Sequence, residues 1–429
     1  MQENGMKSKK RIVMAGMLCA VLAFSVWYVQ RPVVLKLGIF TGGSWNVPST
    51  STYEYIDSII RRFEKEHPGV YVQYESGIRH ADYPEWMADH IISGQCPDVF
   101  LVLDTDFYEY VQLGVLKNLN SFLSSDKEFN ESSYYPGILE QARYHFEQFA
   151  LPFEYNPGMM FVNESLLEQE GIPLPDKNWN MDDFCSICRQ ITKDRDRNDT
   201  IDQFGVIGFD WEDALNAYGV QLIDPDGSVN LNQPDVRKAI QTLIDLNALY
   251  EKSVPSQADL DEGKVAFAPM SYAEFITYNP YPWRIKRYSD FDWLCVPMPS
   301  KTGYAYHYDG SALYMGMSNH TRYAHLSWDL LKAFCYEEES QKDVVLYGLG
   351  ISPVRTVASD PEIIQYYDSL GISVSLINAI MDYSAQNETY LDESVKNKLD
   401  AGIRAMIDGD EDLDIALMEL EQKINEKNP

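Results

Sequence analysis

Val99-Phe100-Leu101-Val102-Leu103-Asp104-Thr105-Asp106-Phe107-Tyr108-Glu109-Tyr110-Val111-Gln112-Leu113-Gly114 is the stretch whose reading decides the fold. Five apolar residues in succession predict a strand covered on both faces, as inside a parallel sheet with helices on each side. Asp104, Thr105 and Asp106 are helix-capping types directly after it, and Gly114 is the stop that ends the helix they open. Working towards the N-terminus, Leu35 to Phe40 reads as a strand that runs into a polar, Gly-rich loop at 41–46. Ile56, Ile59, Ile60 and Phe63 then mark one face of a helix, stopped by His67-Pro68-Gly69. Val70, Val72 and Tyr74 alternate as a strand, and a short helix runs through Met87 and Ile91 to Gly94. This βαβαβα order predicts a doubly wound α/β domain. Such sheets bind ligands outside the carboxyl ends of their strands, so the loops at 41–46 and 104–107 are candidate binding loops. Working towards the C-terminus, a second domain is expected from about Leu151. Its markers are a turn-rich segment at 151–158, a strand at 159–162, another apolar strand at 265–268 and a mostly helical tail beyond Trp328.

At 429 residues the chain is too long for one small core, and two domains is the natural expectation. The formal net charge is −30. Lys7, Lys9, Lys10, Arg11 and Arg31 against Glu3 make residues 1–31 net +4, which leaves −34 for the rest. A body this acidic repels nucleic acid and anionic lipid, so neither is an expected partner. The uncharged run at 12–29 is 18 residues long, enough for a membrane-spanning helix, and the cations before it place its N-terminal side in the cytoplasm. No small-residue cleavage site follows, and Cys19 lies mid-run behind Met17-Leu18. An uncleaved anchor is therefore the favoured reading over a signal peptide or a lipoprotein. The other five cysteines form no disulfide framework. Cys185 and Cys188 make a CxxC, but Phe184, Ile187, Cys188 and Ile191 follow helical spacing, so Cys188 is expected in the core.

The chain resembles the maltose-type (family 1) extracellular solute-binding proteins of bacterial ABC importers. Six segments carry the resemblance, in the family's order, from about Val33 to about Arg355: IIRRFEKEHPGVYVQYE, CPDVFLVLDTDFYEYVQLGVLKNL, FALPFEYNPGMMFVNESLL, NWNMDDFCSICRQITKDRDRNDTIDQFGVIG, EGKVAFAPMSYAEF and LSWDLLKAFCYEEESQ with GLGISPVR. The resemblance implies an α/β, two-lobed periplasmic-binding-protein-like fold, each lobe a sheet flanked by helices, the two joined by hinge crossings. Residues 33–150 and 270–335 are expected in the first lobe, and 151–269 with 336–429 in the second, after a basic stub and membrane segment at 1–32. The resemblance also implies that ligand binds in the cleft between the lobes, and closure is expected to be a hinge motion driven by contacts on both.

The expected ligand is a sugar or oligosaccharide, handed to ABC importer permease subunits on the extracytoplasmic face of the membrane by a monomeric, non-catalytic protein. Aromatic platforms would meet the CH faces of the sugar, and carboxylates its hydroxyls. Matching to the family's cleft positions selects Trp45, Asp104, Asp106, Glu154, Tyr155, Trp211, Tyr272, Tyr306, Tyr308 and Asp309. The loop Asp194-Arg195-Asp196-Arg197-Asn198-Asp199-Thr200-Ile201-Asp202 spaces Asp194, Asp196, Asn198, Thr200 and Asp202 as an EF-hand loop spaces its ligands, which suggests a structural Ca²⁺. Asp199 replaces the usual turn glycine, and Gly205 the usual closing glutamate. Alternative readings are a ligand-sensing ectodomain, a binder of a non-sugar solute such as a peptide or polyamine, and a glycosidase acting through Asp104 and Glu154. No G-x-S-x-G, Walker A or G-x-G-x-x-G motif occurs, and the seven histidines are scattered.

Overall fold

The computed structural model describes residues 32–41, 45, 52–224, 228–250, 253–278, 291–303, 310–383, 393–409 and 412–426. Tyr306, Tyr308, Asp309 and the uncharged run at 12–29 lie outside them. Among the described residues no helix is long and apolar enough to cross a membrane.

The predicted βαβαβα unit is present. It comprises β1 (Val33–Gly38), α1 (Thr52–Glu66), β2 (Val70–Tyr74), α2 (Tyr83–Ile92), β3 (Val99–Leu103) and α3 (Asp104–Gln112). β1 pairs in parallel with both β2 and β3. In α1, Ile56, Ile59, Ile60 and Phe63 are buried together, as their spacing requires. One local detail differs from the expected capping. Leu103 is the N-cap and Asp104 is already helical, so Asp104 turns its carboxylate back onto the Thr105 N–H at 2.8 Å.

The segment at 151–158 is not a series of turns. With a short hairpin before it, β4 (Arg143–Tyr144) and β5 (Glu147–Gln148), it belongs to β6 (Ala150–Asn163), 14 residues long and buried almost throughout. Pro152 is tolerated because the ladder shifts register beside it, between Leu313 and Tyr314 of the partner strand, and Pro157 stands at the step where β6 leaves that strand. β6 is the axis of the molecule. Its first half, to Pro157, pairs with β10 (Gly310–Met317), which also pairs with β3. Its second half, from Gly158, pairs with β8 (Val265–Ser271) and β9 (Trp293–Val296), and β8 carries β7 (Phe204–Val206). Two α/β lobes thus share one strand.

The helices complete each lobe. α4 (Met181–Ile191), α5 (Trp211–Ala217) and α6 (Pro234–Ala248) cover the second, and α7 (Tyr272–Tyr278) follows β8. α8 (Ala324–Cys335) and α9 (Glu338–Tyr347) pack on α1 in the first lobe, tied by the Arg62–Asp343 ion pair at 2.8 Å. α10 (Glu393–Asp408) and α11 (Leu413–Asn425) pack on α6 in the second, with Arg237 paired to Asp414. Which half of β6 a segment meets therefore divides the C-terminal part differently from the expected 270–335 and 336–429. Residues 271 and 293–296 sit with the second lobe, residues 310–347 with the first and residues 393–425 with the second.

Cys185 and Cys188 are free and buried, 8% and 0% exposed. Their helix lies against β7 so closely that a Cβ on Gly205 would come within 2.6 Å of the Cys188 Cα.

Candidate functional site

β6 passes from one lobe to the other at Asn156-Pro157-Gly158. Across this step the ladder partners are Ser311, Gly310 and Ser271 in turn. The side-chain amide oxygen of Asn156 accepts the Ala273 N–H at 2.9 Å, which fastens the start of α7 to the crossing. This step is the floor between the lobes, and side chains from both lobes converge on it.

From the first lobe comes Asp104, at the carboxyl end of β3. Burial pushes its carboxyl up, opposed by the Thr105 N–H, the Ser311 hydroxyl and the nearby His80. Burial likewise pushes Asp106 up and His80 down. Trp45 is half-buried against the same lobe, and its indole N–H has no partner among the described residues.

From the second lobe comes a recess of about 250 Å³. Gly158, Gly208, Asp210, Asp213, Asn216 and Glu274 are among its lining residues, and all of the lining belongs to this lobe. Two short helices begin here, each closed by a reciprocal cap. Asp210 accepts the Asp213 N–H at 3.1 Å, and Asp213 accepts the Asp210 N–H at 3.2 Å. Glu274 accepts the Ser271 N–H at 2.8 Å, and the Ser271 hydroxyl accepts the Glu274 N–H at 3.3 Å. The caps hold three carboxylates at fixed positions on the rim of the recess, where they can accept hydrogen bonds from ligand hydroxyls. These carboxylates are missed at the level of sequence: the spacings D-x-x-D at 210–213 and S-x-x-E at 271–274 are a signal for helix starts, and nothing in that pattern marks them as ligand-facing.

Four of the residues expected at the site, Trp211, Tyr155, Tyr272 and Glu154, are buried away from the recess. Trp211 is 5% exposed and donates its indole N–H to Asp400 on α10 at 2.9 Å. It faces into the lobe, while its neighbours Asp210 and Asp213 face the recess. Tyr155 and Tyr272 are each 0% exposed. Tyr272 packs edge-on against Tyr367, with ring centroids 6.4 Å apart. Glu154 is 0% exposed in β6 and accepts the Leu349 N–H at 2.8 Å.

The loop at 194–202 has an EF-hand-like form. The carboxylate oxygens of Asp194, Asp196 and Asp202 lie within 4.8 Å of one another. Asp199 takes φ 65°, the left-handed turn for which the usual glycine is suited. Burial raises the Asp194 carboxyl, but the N–H groups of Asp199, Asn198 and Arg197 outweigh it and hold the group below its ordinary range. Asn198 donates its side-chain amide to Asp196 at 3.0 Å.

Comparison with known proteins agrees with this architecture. The family described as bacterial extracellular solute-binding protein matches residues 47–342. Curated relatives called binding proteins, from Brucella abortus (strain 2308) and Brucella suis biovar 1 (strain 1330), are 24% identical over 224 residues, 50% of this chain. The match spans 52% of those relatives, about half their length. Among solved structures, the sugar-binding protein of Xanthomonas citri superimposes with a TM-score of 0.75 at 16% identity, covering 92% of this chain and 97% of that one. An ABC substrate-binding protein of Listeria monocytogenes in complex with cycloalternan gives 0.68 at 18% identity, covering 92% and 98%. With two α/β lobes around a shared crossing strand and a family match over most of its length, this chain belongs to the bacterial extracellular solute-binding proteins, family 1.

Proposed function

We propose that the protein captures a sugar or oligosaccharide between its lobes, outside the cytoplasm, for an ABC importer. The observation that supports this most directly is the convergence on Asn156-Pro157-Gly158 of Asp104 from one lobe and the capped carboxylates Asp210, Asp213 and Glu274 from the other. Carboxylates held by helix caps accept hydroxyl hydrogen bonds without first having to be ordered. The solved relatives named for sugars or bound to cycloalternan share the fold and point to the same ligand class. Uncharged residues 12–29, with cations before them, support an N-terminal anchor that leaves the lobes on the outer face. The reading has no catalytic step, and a glycosidase would show turnover of the same oligosaccharides.

The test is a melting screen of the purified protein against neutral mono- and oligosaccharides, peptides and polyamines. A sugar at one hundred times its Kd is expected to stabilise by about 2.7 kcal/mol, a readily measured rise in midpoint. Asp213→Asn should remove most of the rise while leaving the unliganded midpoint within a few degrees. A shift with polyamine or peptide alone would reject the sugar and keep the binder.

The loop at 194–202 is proposed to hold a structural calcium through Asp194, Asp196, Asn198, Thr200 and Asp202, supported by the gathered carboxylates. Excess chelator is then expected to lower the midpoint without abolishing ligand binding, and Asp196→Ala to mimic the chelator. An unchanged midpoint in both experiments would leave an acidic turn and no ion.

A further inference from the structure

We propose that His80 is a ligand-contacting residue of the first lobe, and that its imidazole and the Asp104 carboxylate together take two neighbouring hydroxyls of one sugar ring. The inference rests on the sugar reading above and deepens it, because it names the side chain that selects for a vicinal diol.

The topology brings His80 to the cleft end of the sheet. β1, β2 and β3 are parallel, so their carboxyl ends point the same way, and open α/β sheets bind ligands beyond those ends. Just after β1, the Thr41 N–H donates to the Ile78 carbonyl at 2.6 Å, and Thr41 bridges in parallel to Arg79. The chain leaving β2 is thereby held beside the chain leaving β1. His80 is the next residue, at the start of a 3₁₀ turn (His80–Asp82). Asp104 follows directly on β3. It is close enough to His80 for their charges to interact, and it accepts the Ser311 hydroxyl. Ser311 is the ladder partner of Asn156, the first residue of the step between the lobes. His80 is therefore connected to the floor of the cleft through Asp104 and Ser311.

Its ring is placed but not engaged. His67 and His90 are also half-buried, and each sets its Nδ1 against the carbonyl four residues back, Phe63 at 3.0 Å and Trp86 at 2.8 Å. Among the described residues, no group hydrogen-bonds to either ring nitrogen of His80. Ring contact holds it instead. His80 stands edge-on to Phe40, with centroids 4.9 Å apart and planes at 88°. Phe40 packs in turn on Tyr83 at 5.2 Å, whose buried hydroxyl donates to the Leu101 carbonyl at 2.9 Å and lies 3.2 Å from that of Gly38. The imidazole is thus positioned from the core outward, and both nitrogens are left for an incoming group.

Burial lowers the His80 pKa further than Asp104 raises it, so at neutral pH the ring is uncharged. One nitrogen then donates and the other accepts, while the carboxylate beside it only accepts. Two adjacent hydroxyls need such a mixture of donor and acceptor, and an uncharged ring suits an uncharged sugar. A sugar without one of the hydroxyls leaves a desolvated polar group unpaired, so the pair discriminates against deoxy analogues.

The experiment uses the full-length chain labelled with ¹⁵N-histidine, and the sugar giving the largest rise in the melting screen. His80→Phe keeps a ring edge against Phe40 and removes both nitrogens. It also identifies the His80 resonances by their loss, and His80→Gln serves that purpose should His80→Phe fail to fold. In the parent protein, saturating sugar should shift the His80 imidazole signals and leave those of His67 and His90 in place. Calorimetry should show His80→Phe binding that sugar about tenfold or more weakly than the parent, with the unliganded midpoint within a few degrees. At least one monodeoxy analogue should bind parent and variant equally, which marks the hydroxyl that His80 takes. Unmoved His80 signals at saturation, or equal affinity of parent and variant for the sugar itself, overturn the proposal and leave the sugar reading standing. A gap that persists across every monodeoxy analogue overturns the hydroxyl contact in favour of an indirect effect on the lobe. A parent protein that no sugar stabilises overturns both the reading and the proposal.

Discussion

Trp211→Ala is expected to destabilise the second lobe by about 3–5 kcal/mol, the range for removing a buried Trp or Phe side chain. Trp211 is 5% exposed, and its indole N–H is committed to Asp400. Truncation opens a cavity beneath α5 and leaves Asp400 without that donor, so α5 and α10 keep only the Glu212–Lys396 ion pair of the polar contacts described between them. On a lobe of this size the melting midpoint should fall by about 10 °C or more. Affinity for the sugar selected in the screen, measured well below the new midpoint, should change by less than tenfold, because Asp210, Asp213 and Glu274 line the recess without help from the indole. The opposite pattern, an unchanged midpoint with a tenfold or greater loss of affinity, would return Trp211 to the role its sequence position suggested, a platform for the ligand.

Glu154→Ala should also act on stability first. The carboxylate is 0% exposed and accepts the Leu349 N–H, and a Cβ on Gly350 would lie 2.4 Å from the Glu154 Cγ, so the chain at 348–350 closes tightly over it. Leaving a buried N–H without its acceptor costs about 1–3 kcal/mol, and the vacated volume adds to that. Glu154→Gln keeps an oxygen at the same place and should stay within about 1 kcal/mol of the parent. Urea unfolding of the two variants separates the outcomes. Equal stability of all three proteins, with ligand affinity lost in Glu154→Ala, would make Glu154 a ligand contact in place of a clamp on the crossing strand. Since Tyr155 exchanges both backbone hydrogen bonds with Ile351, the clamp and the ladder hold the same loop, and the loss of one is expected to loosen the other.

Much of the fold was legible because local patterns answer to local physics. Val99 to Leu103 could be read as a strand covered on both faces because period and apolarity left no polar side to expose, and Ile56, Ile59, Ile60 and Phe63 could be read as one helical face for the same reason. The segment at 151–158 was misread as turns because its prolines are ordinary turn residues. The register shift against β10 makes room for Pro152 in a strand, and Pro157 falls where β6 passes from one lobe's ladder to the other's.

The candidate site was less legible. Tryptophan and tyrosine serve equally as ligand platforms and as core side chains, and the sequence around Trp211, Tyr155 and Tyr272 is the same in either case. Burial separates the two, and burial depends on what arrives from far along the chain: Asp400 for Trp211, Tyr367 for Tyr272 and Gly310 for Tyr155. The capping motifs at 210–213 and 271–274 could be found as helix starts. That both open on one recess depends on β6 carrying the second lobe past Gly158.

By itself, the sequence determined the α/β alternation, the family, the acidic body and the apolar run at 12–29, since each rests on composition, period or ordered motifs within short windows. The tertiary structure decided which segments belong to which lobe and which of the expected residues meet at the crossing. Those depend on pairings between residues far apart in sequence, whose closure entropy is offset only when the whole sheet forms, and no local pattern records them.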